Sequence, residues 1–90
     1  MGLERELLIT NKRGLHARAS AKFVQTVETL DADIRVSKDG MTVGGTSIMG
    51  LMMLAAGLGS TILVSASGTG ALAALDTIEA LLADKFGEEM

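Results

Sequence analysis

The residues of this chain best suited to chemistry lie in one short run, Gly14-Leu15-His16-Ala17-Arg18. His16 is the only histidine, and imidazole is one of the side chains that form covalent intermediates. Gly14 frees the backbone before a predicted helix, which places His16 at or next to the helix N-cap. Free amides and the helix dipole favour an anion there, and Arg18 can add a bidentate guanidinium. The run is therefore compatible with a histidine that takes up a phosphoryl group, but on spacing alone an ordinary surface histidine at a loop–helix junction is the favoured interpretation.

Charge is distributed unevenly around this run. The chain has a net charge of −3, yet no acidic residue lies between Glu6 and Glu28. That segment holds half of the 8 basic residues, namely Lys12, Arg13, Arg18 and Lys22. Cations gathered around one histidine favour an anion site, and a solvated basic face explains them equally well. No carboxylate besides Glu6 lies within ten residues of His16, so the sequence identifies no local partner for the ring.

Composition excludes several other classes of function. With 90 residues, of which 48% are hydrophobic and 21% charged, the chain predicts a single folded domain over residues 1–90. The lack of cysteine and the single histidine argue against a metal site. The lack of Trp and Tyr, with the acidic balance, argues against nucleic acid. The glycine-rich segment 40–59 contains no lysine and so is not a phosphate loop for nucleotides. We expect no cofactor.

The apolar segments predict no contact with the membrane interior. The longest of them, residues 48–58, is too short for a bilayer, which takes about 20 residues. Glu4, Arg5 and Glu6 stand where a signal peptide would need an apolar run. We therefore expect a cytoplasmic protein without membrane insertion.

Hydrophobic periodicity predicts the elements that position the histidine. Alternation at residues 3–10 indicates a strand, and an apolar stripe at residues 16–30 indicates an amphipathic helix. Asp39-Gly40 favours a hairpin between strands near residues 34–36 and 41–43. Residues 61–66 predict a further strand, and Leu72, Leu75, Ile78, Leu82 and Phe86 predict a last helix. The order β-α-β-β-α-β-α predicts an α+β open-faced β-sandwich with its helices on one face.

A short helix is predicted between the third and fourth strands, with Ser47 as its N-cap. Leu51, Leu54 and Ala55 can fill its inner face, which would leave the methionines outside. A methionine stripe at helical spacing usually belongs to a core. Flexible thioethers also suit a surface that packs against several unlike partners, and we favour that interpretation for Met49, Met52 and Met53.

Two motifs in this order of elements resemble a known family. GLHARAS, followed about 25 residues later by TSIMGLMMLAAG, is similar to HPr, the histidine-containing phosphocarrier of the bacterial phosphotransferase system, and to its nitrogen-branch relatives. The resemblance covers essentially the whole chain. It implies a four-stranded antiparallel sheet with three helices on one face. It also implies that His16 is phosphorylated at Nδ1, that Arg18 stabilises the phosphate, and that Ser47 is a regulatory phosphorylation site.

The resemblance further implies partners and a docking surface. Phosphate would come from enzyme I and pass to an enzyme IIA domain, and HPr kinase/phosphorylase would act on Ser47. The protein would be a monomeric transfer intermediate in sugar transport, without turnover of its own. The docking residues would be Ala17, Ser20, Ile48, Met49, Met52 and Met53.

Two departures from the family pattern stand out. Ala19 replaces the proline that usually follows the arginine, and Gly70-Ala71-Leu72-Ala73 begins the last helix where relatives are often acidic. The missing proline should loosen the turn that carries Arg18. Two alternatives stay open at this point. One is a nitrogen-branch carrier with regulatory output, and the other is a regulatory binding module controlled by phosphorylation of Ser47.

Overall fold

The order of strands and helices predicted from the sequence is confirmed in the computed structural model, which describes residues 2–88. The four strands and three helices follow the order β-α-β-β-α-β-α, and each lies within a few residues of its predicted position. The elements are β1 (Gly2–Leu8), α1 (Ala17–Val27), β2 (Asp33–Lys38), β3 (Met41–Gly44), α2 (Ile48–Met53), β4 (Thr61–Ser67) and α3 (Ala71–Ala83).

The four strands form one antiparallel sheet in the order β1-β4-β2-β3. Side chains alternate between its faces, so Ile62, Val64 and Ala66 of β4 are buried while the residues between them are more exposed. Val36 of β2 lies opposite both Val64 and Val43 in the register and is fully buried. The sheet therefore has one core face and one open face, as expected of an open-faced sandwich.

The hairpin between β2 and β3 follows the predicted turn. Asp39 and Gly40 both have positive φ, at 51° and 83°, which is the conformation that a two-residue hairpin turn matched to the strand twist needs. Lys38 pairs with Met41 across this turn.

The helices cover the core face with their apolar stripes. α1 buries Ala19, Phe23, Val24 and Val27, and α3 buries Ala74, Leu75, Ile78 and Leu82. Leu72 departs from the prediction, because its side chain is 58% exposed while the neighbouring Ala71 is buried. Small residues at the start of α3 thus face the core in its place. In the part of the chain that the structure describes, no helix is both long enough and apolar enough to cross a bilayer.

The last predicted helix ends earlier than expected. α3 stops at Ala83, and the chain then makes a left-handed turn at Lys85, Phe86 and Gly87, with φ values of 55°, 57° and 79°. We call residues 85–88 the hook. Phe86 is buried as predicted, but it reaches the core from the hook instead of from the helix. The turn reverses the chain and carries Glu88 back toward the start of α1.

Candidate functional site

His16 is the N-cap of α1. Its backbone is extended, with φ −75° and ψ −178°, and its Nδ1 accepts a hydrogen bond of 3.2 Å from the backbone amide of Arg18. The imidazole thus fills the capping role usually taken by Ser, Thr, Asn or Asp. Because an N–H donates to Nδ1, this nitrogen holds a lone pair that faces the free amides of the helix.

The other ring nitrogen meets a carboxylate that lies 72 residues away in the chain. Nε2 of His16 lies 2.6 Å from Oε2 of Glu88, and the two side chains are only 16% and 15% exposed. Sequence reasoning missed this partner, since it considered only carboxylates close to His16 along the chain. No spacing or motif near Glu88 indicates the contact.

Asn11 holds the Glu88 carboxylate from its other side. The side chain of Asn11 is fully buried, and its Nδ2 donates both to the carbonyl of Gly14, at 2.8 Å, and to Oε1 of Glu88, at 2.9 Å. The hydrogen bond from Asn11 lowers the pKa of Glu88 against the opposing effect of burial, with further lowering from His16 and Arg13. Glu88 is therefore ionised at neutral pH, and Nε2 of His16 is the donor in their hydrogen bond.

The loop before α1 is locked onto the loop after α2. The amide of Leu15 donates to the carbonyl of Ala56 at 2.9 Å, and Gly14 adopts φ +64° beside it. A Cβ at position 14 would lie 2.4 Å from that carbonyl oxygen, so only glycine fits. An open cavity of about 250 Å³ lies between these two loops, beside the histidine. It is lined by Arg13, Leu15, His16, Ala55, Ala56 and Gly57.

The remaining residues of the histidine run occupy the first turn of α1. Ala17 and Arg18 are exposed as its first and second residues, and Ala19 is buried as the third. Arg18 makes no ion pair within residues 2–88, and its guanidinium is on the same turn as the amide that meets Nδ1. The start of α1 thus places the backbone amide of Arg18 on the His16 ring, and the role of the guanidinium in holding phosphate stays a prediction.

The structure contradicts the docking role predicted for Ser20. It is fully buried, and its hydroxyl donates to the carbonyl of Leu15 at 3.2 Å. Position 20 lies one turn beyond the cap, on the face of α1 that packs inward. Ser20 stabilises the loop that carries His16 and offers nothing to a partner, so its expected part in docking is wrong.

Ser47 caps α2 as predicted. Its hydroxyl accepts a 2.9 Å hydrogen bond from the amide of Gly50, and the residue is exposed. The cap requires glycine at position 50, because a Cβ there would lie 2.9 Å from both the Ser47 Oγ and the Cβ of Val43.

The surface of α2 is exposed and apolar. Leu51 and Leu54 are buried as expected, and the outer side chains keep large exposed fractions, with Met49 at 70% and Met53 at 64%. Ile48 and Met52 are each 40% exposed. We call Ile48, Met49, Met52 and Met53 the α2 patch. It lies on the helix that packs against α1 and that leads into the loop beside His16.

Ala55 does not fill the inner face of α2, contrary to expectation. It is exposed and has φ +52°. The helix ends at Met53, and the left-handed conformation of Ala55 then turns the chain so that the carbonyl of Ala56 can accept from the amide of Leu15. Ala55 is therefore part of the loop beside His16.

Comparison with known proteins agrees with this geometry. Residues 3–84 match the family model described as the PTS HPr component phosphorylation site. A phosphocarrier protein HPr from Cupriavidus necator is 46% identical over 96% of this chain and 97% of its own length. A phosphocarrier protein NPr from Shewanella violacea is 43% identical over 96% of this chain and 94% of its own.

Solved structures show the same fold. The crystal structure of HPr-C-His from Thermoanaerobacter tengcongensis superposes with a TM-score of 0.91 at 41% identity. The match covers 98% of this chain and 99% of that one. With the fold, the family model and near full-length relatives in agreement, the chain belongs to the HPr family of phosphocarrier proteins.

Proposed function

We propose that this protein is a single phosphocarrier domain that carries a phosphoryl group on Nδ1 of His16. The observation that carries the proposal is the capping geometry, in which Nδ1 accepts from the Arg18 amide at 3.2 Å. That contact directs the lone pair of Nδ1 toward the amides of the first turn of α1, which have no partner within the helix. A phosphoryl group attached to Nδ1 would place its oxygens within reach of the same amides, which favour anions.

Acceptance of the group is a displacement at phosphorus. The lone pair of Nδ1 forms an N–P bond as the bond between phosphorus and the donor atom of the phosphorylated partner breaks, and the donor atom leaves with that electron pair. The free amides of α1 and the exposed Arg18 guanidinium would hold the charged oxygens. A helix terminus contributes only about 0.3–1 kcal/mol to an exposed anion. That suits a carrier that must release its load.

The partners follow from family membership and from the surface beside the site. We propose that enzyme I supplies the phosphate from phosphoenolpyruvate, and that an enzyme IIA domain receives it in the cytoplasm. Both would dock on the α2 patch and on Ala17, where flexible methionine side chains adapt to unlike partners. The protein is then a transfer intermediate without turnover of its own.

We further propose that Ser47 is a regulatory phosphorylation site. Ser47 is an exposed residue at the start of α2, directly before the α2 patch. A phosphate there would add about −1.5 to −2 charges, which an apolar docking contact would have to desolvate. HPr kinase/phosphorylase is the enzyme we expect to act on it.

A nitrogen-branch carrier is the second candidate. The 43% identity to an NPr over nearly the full length favours it, although the HPr from Cupriavidus necator is slightly more similar at 46%. Both candidates use His16 in the same way and differ in the acceptor. Parallel transfer assays with a sugar-branch and a nitrogen-branch enzyme IIA domain would separate them.

The carrier function is tested with enzyme I and labelled phosphoenolpyruvate. We expect label that is lost in acid and retained in alkali, as for a phosphoramidate on imidazole, and that maps to His16. His16→Asn is the matched variant, because asparagine keeps an N-cap for α1 and has no imidazole. It should fold and take up no label. Acid-stable label as the only product, or equal labelling of His16→Asn, would overturn the proposal.

A further inference from the structure

We propose that Glu88 is a positioning residue for His16. Its carboxylate, oriented by Asn11, holds the proton on Nε2 so that Nδ1 keeps the lone pair that takes up the phosphoryl group. This inference rests on the proposed carrier function and adds to it a residue outside the histidine run.

The directions of the hydrogen bonds assign both ring nitrogens. The buried Asn11 amide can only donate through Nδ2, so Oε1 of Glu88 is an acceptor. Glu88 as a carboxylate also accepts at Oε2, which makes Nε2 of His16 the donor at 2.6 Å. The Arg18 amide donates to Nδ1. One tautomer alone, with the proton on Nε2, satisfies all three contacts.

The backbone of the hook supports a functional role for this contact. Lys85 and Phe86 both adopt left-handed conformations, which are unfavourable for residues other than glycine. Such strain persists only where the surroundings impose it, and it is concentrated at functional sites. Burial of Phe86 anchors the hook in the core, and the Thr10 hydroxyl holds the end of α3 by donating to the Leu82 carbonyl at 2.9 Å.

Low exposure makes the contact effective. With both side chains about 15% exposed, little water competes for Nε2 or for the carboxylate, and the interaction is stronger than the same pair would be in bulk solvent. The titratable groups that face Glu88 and lower its pKa are His16 and Arg13. Arg13 is exposed to water, whereas His16 is largely buried, so the contact of Glu88 that is shielded from water is the one with His16.

The contact serves both directions of transfer. When the N–P bond forms, the ring keeps its Nε2 proton and becomes positively charged, and the carboxylate at 2.6 Å compensates that charge. When the N–P bond breaks toward an acceptor, its electron pair returns to Nδ1 and the ring leaves as neutral imidazole. A ring with the proton on Nδ1 has no lone pair there and cannot attack phosphorus.

Glu88→Gln is the informative variant. A glutamine has one oxygen and one amide nitrogen in place of the two carboxylate oxygens, so one of the two atoms that meet Asn11 and Nε2 becomes a donor. If its oxygen meets Asn11, its NH₂ faces Nε2 and forces the proton onto Nδ1. Glu6→Gln is the matched control, because it removes the same charge from an exposed residue of β1.

Two measurements decide the proposal. Nitrogen-15 NMR of the His16 ring at neutral pH should show the proton on Nε2 in the wild type and in Glu6→Gln, and a shift toward Nδ1 in Glu88→Gln. The initial rate of phosphoryl uptake from enzyme I should fall about tenfold in Glu88→Gln, as is typical when an orienting partner is lost. Thermal melts of the three proteins confirm that each is folded.

The possible outcomes separate this inference from the carrier function. Unchanged ring signals in Glu88→Gln overturn the positioning role, as does an uptake rate equal to that of the wild type. An equal loss of rate in Glu6→Gln overturns it too, because the effect would then be one of net charge. If the wild type takes up no label at all, the carrier function fails, and the ring signals still decide whether Glu88 sets the tautomer.

Discussion

Gly14 is the position where a single added methyl group should do the most damage to the site. Its φ is +64°, and a Cβ there would lie 2.4 Å from the Ala56 carbonyl oxygen and 2.7 Å from the Gly57 Cα. Both neighbours are backbone atoms, so no side chain can rotate away. In Gly14→Ala, the loop that carries His16 must move off the loop after α2.

The size of the effect follows from these contacts. A left-handed alanine costs about 1–2 kcal/mol, and forcing extra volume into a packed site costs about 1–3 kcal/mol more. Stretching the hydrogen bond from Leu15 to Ala56 costs about 1 kcal/mol, and the stiffer unfolded chain returns about 0.4–1 kcal/mol. We expect Gly14→Ala to lose about 3 kcal/mol of unfolding free energy.

Gly59→Ala is the matched control. Gly59 also has positive φ, at +88°, but a Cβ there meets nothing within 4 Å. It should lose only the backbone strain, about 0.5–1 kcal/mol after the gain in the unfolded state.

Urea unfolding and thermal melts of the two variants measure the difference. About 2–3 kcal/mol between them corresponds to a gap of roughly 10–20 °C in Tm for a chain of this size. Phosphoryl uptake at low temperature should also fall in Gly14→Ala alone, since only that change displaces His16. Equal destabilisation of the two variants would refute the reasoning, because it would mean that the loops do not press on each other at Gly14.

Four further predictions concern single positions. Arg18→Lys keeps the charge but loses the planar fork, so phosphoryl transfer should slow while Tm stays near that of the wild type; equal transfer rates for Arg18, its Lys variant and its Ala variant would remove the guanidinium from the mechanism. Ser47→Asp should reduce phosphoryl uptake from enzyme I several-fold with little change in Tm, whereas Ser47→Ala should transfer normally and lose about 1 kcal/mol of unfolding free energy with the cap. Normal uptake by a folded Ser47→Asp would mean that Ser47 acts only as a helix cap. Ala55→Gly should relieve left-handed strain and raise stability by about 0.5–1 kcal/mol in urea unfolding; a loss of stability would show that the Ala55 methyl group contributes packing. The Asn11 hydrogen bond lowers the pKa of Glu88 from its ordinary value of 4.5, so the ionised Glu88 stabilises the fold fully above pH 4.5 and this stabilisation is lost as the pH falls through the lowered pKa. Glu88→Gln should therefore show a smaller fall of Tm at acid pH than the wild type, and an equal fall in both proteins would contradict the assignment.

Local patterns in the sequence determined the elements and the helix caps. The apolar stripe of α1, the Asp39-Gly40 turn and the caps at His16 and Ser47 all depend on residues within a few positions of each other. Periodicity and capping chemistry act over that range, which is why His16 and Arg18 could be placed on the first turn of α1 before the fold was known. The whole-chain resemblance rested on the same short motifs.

Packing between distant segments decided the rest. The contact between His16 and Glu88 joins residues 72 apart through a left-handed hook, and no periodic pattern encodes such a turn. Exposure of Ala55 depends on how the loop before α1 meets the loop after α2. A hydrogen bond forms or fails over a few tenths of an ångström. The residue that orients the histidine is therefore fixed only when the core has placed Phe86, Asn11 and the loop of Gly14 against one another.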